Sequence, residues 1–198
     1  MKYPQHLLKL IEVLKKLPGV GNKSAERFAF QLLTWPEARL QEMSEVIKDV
    51  PNRLKHCKEC GCLSGEGACY FCDSPRHKAS SICVIASSRD AFSIEETREY
   101  KGLYHVLGGV LSPIDGFNAD KLTINKLINR ITLHNIQEVI IALDSTLEGD
   151  ATSLYIKQEL EHLKIPVTRL AFGLPMGSSL DYVDGGTLAR AFSARGRF

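Results

Sequence analysis

Four of the six cysteines fall as Cys57-x2-Cys60 and Cys69-x2-Cys72, two short pairs with eight residues between them. Each pair can put two thiolates about 2.3 Å from one ion, and two such pairs close the tetrahedron of a structural zinc site, one ion per chain. Gly61, Gly65, Gly67 and Ala68 let the backbone turn tightly around the ion. Four thiolates leave no position for water or substrate, so the metal is expected to hold structure and not to catalyse. Cys62 is near enough to compete as a ligand but breaks the symmetry of the pairs, and the plainer alternative is four buried free thiols. Cys83, inside Ile82-Cys83-Val84-Ile85, reads as a core residue.

A second constellation surrounds Leu17-Pro18-Gly19-Val20-Gly21. Gly19 and Gly21 allow a sharp turn that exposes backbone N–H groups at the start of the helix that follows, where the dipole favours an anion. Lys23 and Arg27 are four residues apart and share one face near that helix start, while Lys15 and Lys16 flank the turn from the other side. A nucleic-acid phosphate is the natural anion. The plainer reading is an ordinary helix-helix turn; the adjacent basic pair favours a helix-hairpin-helix. Phe28 and Phe30 fall in a helix, at least one of them expected in the core, so no aromatics interleave with the basic residues in the manner that stacks bases, and DNA contacts should be to the backbone and independent of sequence.

The third constellation is acidic: Asp144, Glu148 and Asp150 follow the apolar run Val139 to Leu143. Two acids flanking Gly149 could hold Mg²⁺ for phosphoryl transfer. They could equally cap a helix starting near Ala151 or present an acidic surface to a protein partner.

These residues need elements to place them. Leu7, Leu10, Ile11, Leu14 and Leu17, then Ala25, Phe28, Ala29, Leu32 and Leu33, recur at helical spacing on either side of the glycine turn. A third helix is predicted after Thr34-x-x-Glu37, which has capping-box spacing, with Leu40, Met43, Val46, Ile47 and Val50 as its packed stripe. Beyond residue 80 the apolar runs Ile82 to Ala86, Leu103 to Leu107, Val139 to Leu143 and Val167 to Ala171 alternate with amphipathic segments near Arg89 to Glu99, Leu122 to His134 and Ala151 to Leu163. That alternation predicts an α/β domain with a mostly parallel sheet, whose ligands collect beyond the carboxyl ends of the strands.

The 198 residues are 44% hydrophobic and 24% charged, far from the composition of a wholly disordered chain. No apolar stretch approaches the roughly 18 residues needed to cross a bilayer. The segment from Met1 to His6 leads into residues charged every few positions, without the apolar centre of a signal peptide, so a soluble cytoplasmic protein is expected. In that compartment thiols stay reduced, which argues for metal binding over disulfides. The formal charge of +2 conceals a division: residues 1 to 56 carry 10 basic and 6 acidic side chains, and residues 79 to 198 carry 12 and 14. A basic front and an acidic back suggest different partners for the two ends.

Taken in order, Leu17 to Gly21, the four cysteines, Ile82 to Ile85, Leu111-Ser112-Pro113-Ile114-Asp115-Gly116, Thr146 to Thr152 and Gly173-Leu174-Pro175-Met176-Gly177 resemble the bacterial recombination mediator family RecR over nearly the whole chain. The resemblance implies an α+β chain in several parts: a helix-hairpin-helix DNA-binding domain over 1–56, a four-cysteine zinc finger over 57–78, a Toprim domain over 79–172 and a C-terminal oligomerisation segment over 173–198. It further implies a ring-shaped homotetramer around single- or double-stranded DNA. RecO and RecF are the implied partners, helping to load RecA on strands coated by single-strand-binding protein. Lys23 and Arg27 match the family's DNA-contacting residues, and Glu148 and Asp150 its acidic loop for RecO.

Three positions depart from the family pattern. Toprim enzymes carry a glutamate at the end of the first strand as general acid and base, where this chain has Ala86; a basic residue usual before Gly173 is Phe172, and an acid usual before Leu180 is Ser179. Without a proton-transfer group at Ala86, a non-catalytic DNA clamp is expected over a Mg²⁺-dependent nuclease, primase or topoisomerase.

Overall fold

The computed structural model describes residues 3–73, 76, 79–171, 173–174 and 176–195. The chain divides into two compact units, Met1–Arg53 and Leu54–Phe198.

The first unit holds three helices: α1 (Gln5–Leu14), α2 (Asn22–Leu33) and α3 (Glu37–Arg53). Leu7 and Ile11 of α1 close on Ala25 and Ala29 of α2, with Leu10, Leu14 and Val20 at the margin. The two alanines allow the helices to approach closely, so the predicted pair around the glycine turn is observed. The third helix differs from expectation in two ways. Thr34 is not its cap; it closes α2, where its hydroxyl donates to the Gln31 carbonyl at 2.7 Å. Nor is the stripe of α3 packed: none of its residues is buried, and Leu40, Met43, Val46, Ile47 and Val50 all lie open to solvent. Helical periodicity shows that an apolar face exists; it does not say whether the same chain covers it.

The second unit begins with a small antiparallel pair, β1 (Lys55–His56) and β2 (Leu63–Ser64). Four parallel strands follow in the order β4-β3-β5-β6: β3 (Ser81–Ile85), β4 (Leu103–Val106), β5 (Glu138–Ala142) and β6 (Val167–Arg169). These are the four predicted apolar runs. Their continuous apolar character follows from burial on both faces. Ile82, Val84, Val139 and Ile141 pack on one face against Leu127 and Ile131 of α5 (Ile124–Leu133) and Ile156 and Leu160 of α6 (Leu147–Leu160). Cys83, Ile85, Tyr104 and Val106 point to the other face and meet Ala91 of α4 (Ser88–Glu96) together with Cys60, Cys62 and Phe71. The cysteine segment therefore stands where a doubly wound sheet ordinarily has a helix.

One boundary differs from the sequence reading in a way that matters for the site. The helix expected from Ala151 starts at Leu147, because the Thr146 side chain caps it by accepting from the Gly149 amide at 3.1 Å. Glu148 and Asp150 thus lie in the first turn of α6 and not in a loop. The C-terminal segment contributes α7 (Gly185–Ser193), capped by Asp184 and without a buried residue. No described helix is long and apolar enough to cross a membrane.

Candidate metal centre and nucleic-acid interface

The four cysteine sulfurs Cys57, Cys60, Cys69 and Cys72 converge within 4.8 Å of one another. Cys57 and Cys72 are 4.0 Å apart and Cys60 and Cys69 3.7 Å. Metal–sulfur bonds of about 2.3 Å require tetrahedral edges of about 3.8 Å, and these two separations match that edge, with the remaining pairs within 4.8 Å. Two backbone turns achieve this. The Gly61 amide donates to the Cys57 carbonyl at 3.0 Å and the Cys72 amide to that of Cys69 at 3.0 Å. Gly61 has φ +80°, and a Cβ there would lie 2.8 Å from the Val106 Cβ, so the knuckle rests directly on β4. The Val106 amide donates to the Cys60 carbonyl at 2.8 Å and fastens the two.

Crowding governs the protonation of these thiols. The neighbouring Cys62 and Cys72 side chains depress the pKa of Cys60, while their own are pushed up, chiefly by Cys60 and by burial. Burial, and then the charge on Cys60, push Cys69 up to about 12. Several thiolates this close ionise together only around a cation. Cys62, the competing candidate, is fully buried and falls outside the four-sulfur group; Cys83 is buried beneath the sheet face as expected.

A polar network that sequence reasoning missed abuts the cluster. Arg130 of α5, 3% exposed, donates through Nη1 to the Tyr104 carbonyl at 2.6 Å and to His105 Nδ1 at 3.3 Å. Its Nη2 lies 3.5 Å from Glu59 Oε1 and 4.0 Å from Cys72 Sγ. Because arginine only donates, His105 accepts at Nδ1 and carries its proton on Nε2, which reaches the Thr123 hydroxyl at 2.8 Å. The available signal was an arginine inside the apolar stripe Leu127, Arg130, Ile131. A second tether was equally silent: Arg76 bridges the knuckle to Glu95 of α4 at 2.6 Å. The Tyr104 hydroxyl donates to the same carboxylate at 2.7 Å.

In the first unit, Gly19 adopts φ +78° and Gly21 is the N-cap of α2, with no side chain closing the first turn. The opening amides of α2 are thereby left facing outward. Lys23 and Arg27 follow on that helix, both exposed, and Lys16 is exposed in the turn. Lys15 ends α1 half-buried and pairs with Glu12 at 2.9 Å, which spends part of its charge within the chain.

The acidic residues do not assemble. Asp144 and Glu148 are exposed. Asp150 lies between Arg169 of β6 and Arg190 of α7, each 2.7 Å away. Among the described residues the cysteines alone form a group able to hold a metal. Ala86 follows β3 with its carbonyl accepting from the Gly108 amide at 3.1 Å, and Ser179 is exposed before a single helical turn; Phe172 lies outside the described residues.

A two-helix hairpin around an open glycine turn is joined in one chain to a parallel α/β sheet backed by a four-cysteine knuckle, the arrangement of a multi-part chain of the helix-hairpin-helix and Toprim type. Family models agree with this division: RecR helix-hairpin-helix over 7–50, Toprim domain over 80–171 and RecR C-terminal over 173–195. The chain is 63% identical over its full length to the full length of Recombination protein RecR of Protochlamydia amoebophila. It is 49% identical to that of Chlamydia caviae, with 98% of both chains covered. For Synechococcus elongatus the identity is 47%, covering 98% of this chain and 96% of the relative. The chain belongs to the RecR family of recombination proteins.

Proposed function

We propose that the protein is a non-catalytic, sequence-independent DNA clamp that acts as a mediator of recombinational repair in the cytoplasm, assisting RecA loading with RecO and RecF. The observation that carries this reading is the exposed pair Lys23 and Arg27 beside the uncapped first turn of α2, where backbone amides and two cations face the same solvent. Gly19 and Gly21 shape the turn, and Lys16 and Lys15 add charge at its flank. The ion in the cysteine knuckle is Zn²⁺ on the chemistry of the donor set, all thiolate and tetrahedrally spaced. When bound it supplies cross-linking of the chain.

The functional parts are 1–56 for DNA, 57–78 for zinc, 79–172 for partner contact and 173–198 for assembly. Asp144 and Glu148, being exposed, are the acids offered to RecO, while Asp150 shapes that surface through its two arginines. A homotetrameric ring is supported by the uncovered face of α3 and by exposed Leu174, Met176, Leu180, Tyr182 and Phe192 near the C-terminus. Binding to single- and double-stranded DNA, compared between wild type and Lys23→Glu/Arg27→Glu, tests the reading. Loss of binding with unchanged helix content is expected; DNA nicking or primer synthesis with Mg²⁺, abolished by Glu148→Gln, would establish a Toprim enzyme instead.

A further inference from the structure

Arg130 presents a charge problem. Its guanidinium is a permanent cation, here 3% exposed, at the junction of three elements. Its carrier is α5, its Nη1 partners Tyr104 and His105 lie in β4, and its Nη2 partners Glu59 and Cys72 lie on the knuckle. The Nε atom is buried without an acceptor among the described residues. His105 offers a neutral lone pair and Tyr104 a carbonyl, so neither neutralises the cation. Glu59 is the carboxylate nearest to hand, yet it stands off at 3.5 Å, its side chain is 38% exposed and His134 Nε2 shares the same oxygen at 3.1 Å. A lone, partly solvated carboxylate incompletely compensates a buried guanidinium.

The cysteines supply the missing charge once loaded. Four thiolates around a divalent cation sum to two net negative charges, and the Cys72 sulfur is 4.0 Å from Arg130 Nη2. We infer that Arg130 is the built-in counter-cation of the metal–thiolate cluster: a positioning residue that stabilises the loaded knuckle by charge and by contact with the Cys72 sulfur, and that joins it to β4 and α5. This rests on the reading of the four cysteines as a metal site. Outer partners of metal ligands commonly change metal affinity by about 10- to 100-fold. Glu59, competing for the same guanidinium, acts in the opposite direction.

The test uses the full-length zinc-loaded protein in competition with a colorimetric chelator at fixed pH, and the cobalt-loaded protein for its sulfur-to-cobalt charge-transfer band. Arg130→Gln is expected to weaken retention about 10- to 100-fold and to shift the band. Arg130→Lys, keeping the charge, is expected to recover most of the loss, and Glu59→Gln to hold metal at least as tightly as wild type. Should Arg130→Gln fail to fold, Arg130→Lys and Glu59→Gln decide the question by the same readouts. The inference is overturned if Arg130→Gln matches wild type in both readouts. It is equally overturned if all three variants weaken retention alike, since a residue that merely packs would do that. Wild-type protein that takes up no metal overturns the metal reading itself, and this inference with it.

Discussion

At the scale of single residues, His105 shows how a sheet position becomes chemically specialised. Burial, and then the nearby positive charge of Arg130, lower its pKa from 6.5 to about 3, with Lys126 adding to the effect against the hydrogen bond to Thr123. The folded protein therefore holds a neutral ring that the unfolded chain would protonate. Between those two values the unfolded state binds more protons, so stability rises with pH; the contribution is complete above about 6.5 and is lost as pH falls toward 3. The expected slope in that window is about 1.4 kcal/mol per pH unit for one proton. His105→Gln should reduce the slope of urea-unfolding free energy by that amount. The cysteine ligands were legible because their spacing is local, whereas Arg130 meets Glu59 and Cys72 at separations of 71 and 58 residues. No local pattern reports such a meeting; an arginine within an apolar stripe was the single trace.

Among the elements, α7 is held by polar contacts. It buries no residue, and Arg190 ties it to the sheet through Asp150 at 2.7 Å and the Ser145 hydroxyl at 2.7 Å. Bonds from Arg169 and then Arg190 keep the Asp150 carboxyl below the usual carboxylate range. A depressed carboxylate contributes above its unfolded value and loses that contribution as pH falls through its folded one. Asp150→Asn should therefore raise the hydrogen-exchange rate of α7 amides at neutral pH severalfold, with the exchange of β3 unchanged. The strands of this sheet could be read from composition because both faces are buried, and Ile82 to Ile85 leave no polar position to mislead. The start of α6 was missed for an equally physical reason. Glu148, Gly149 and Asp150 have loop composition, but the Thr146 cap pulls them into the helix.

For the whole molecule, the first unit poses a question of size. Its described residues bury four apolar side chains, fewer than a domain of about that length ordinarily needs. In the proposed ring, further copies of the chain cover α3, and on that proposal Val46→Glu with Ile47→Glu is expected to lower the mass measured by light scattering from that of the assembly toward that of one chain. Mass unchanged from wild type would place the interface elsewhere. The periodic stripe of α3 was readable; that the chain leaves it open was not, because periodicity reports an apolar face and not what meets it.

In the proposed ring, assembly also sets the strength of the field offered to DNA. A basic excess of four charges in residues 1 to 56 is modest for one chain, and the proposed ring of copies would multiply it around a common axis. DNA affinity of the wild type and of Lys23→Glu/Arg27→Glu, measured over a series of salt concentrations, tests that account most directly. The wild type should weaken steeply with salt. The double variant should bind at least about 100-fold more weakly, and its slope should be shallower by about 0.9 for each duplex phosphate that it no longer neutralises. Equal affinity and equal slope for the two proteins would contradict the assignment of the α2 face as the DNA-binding surface.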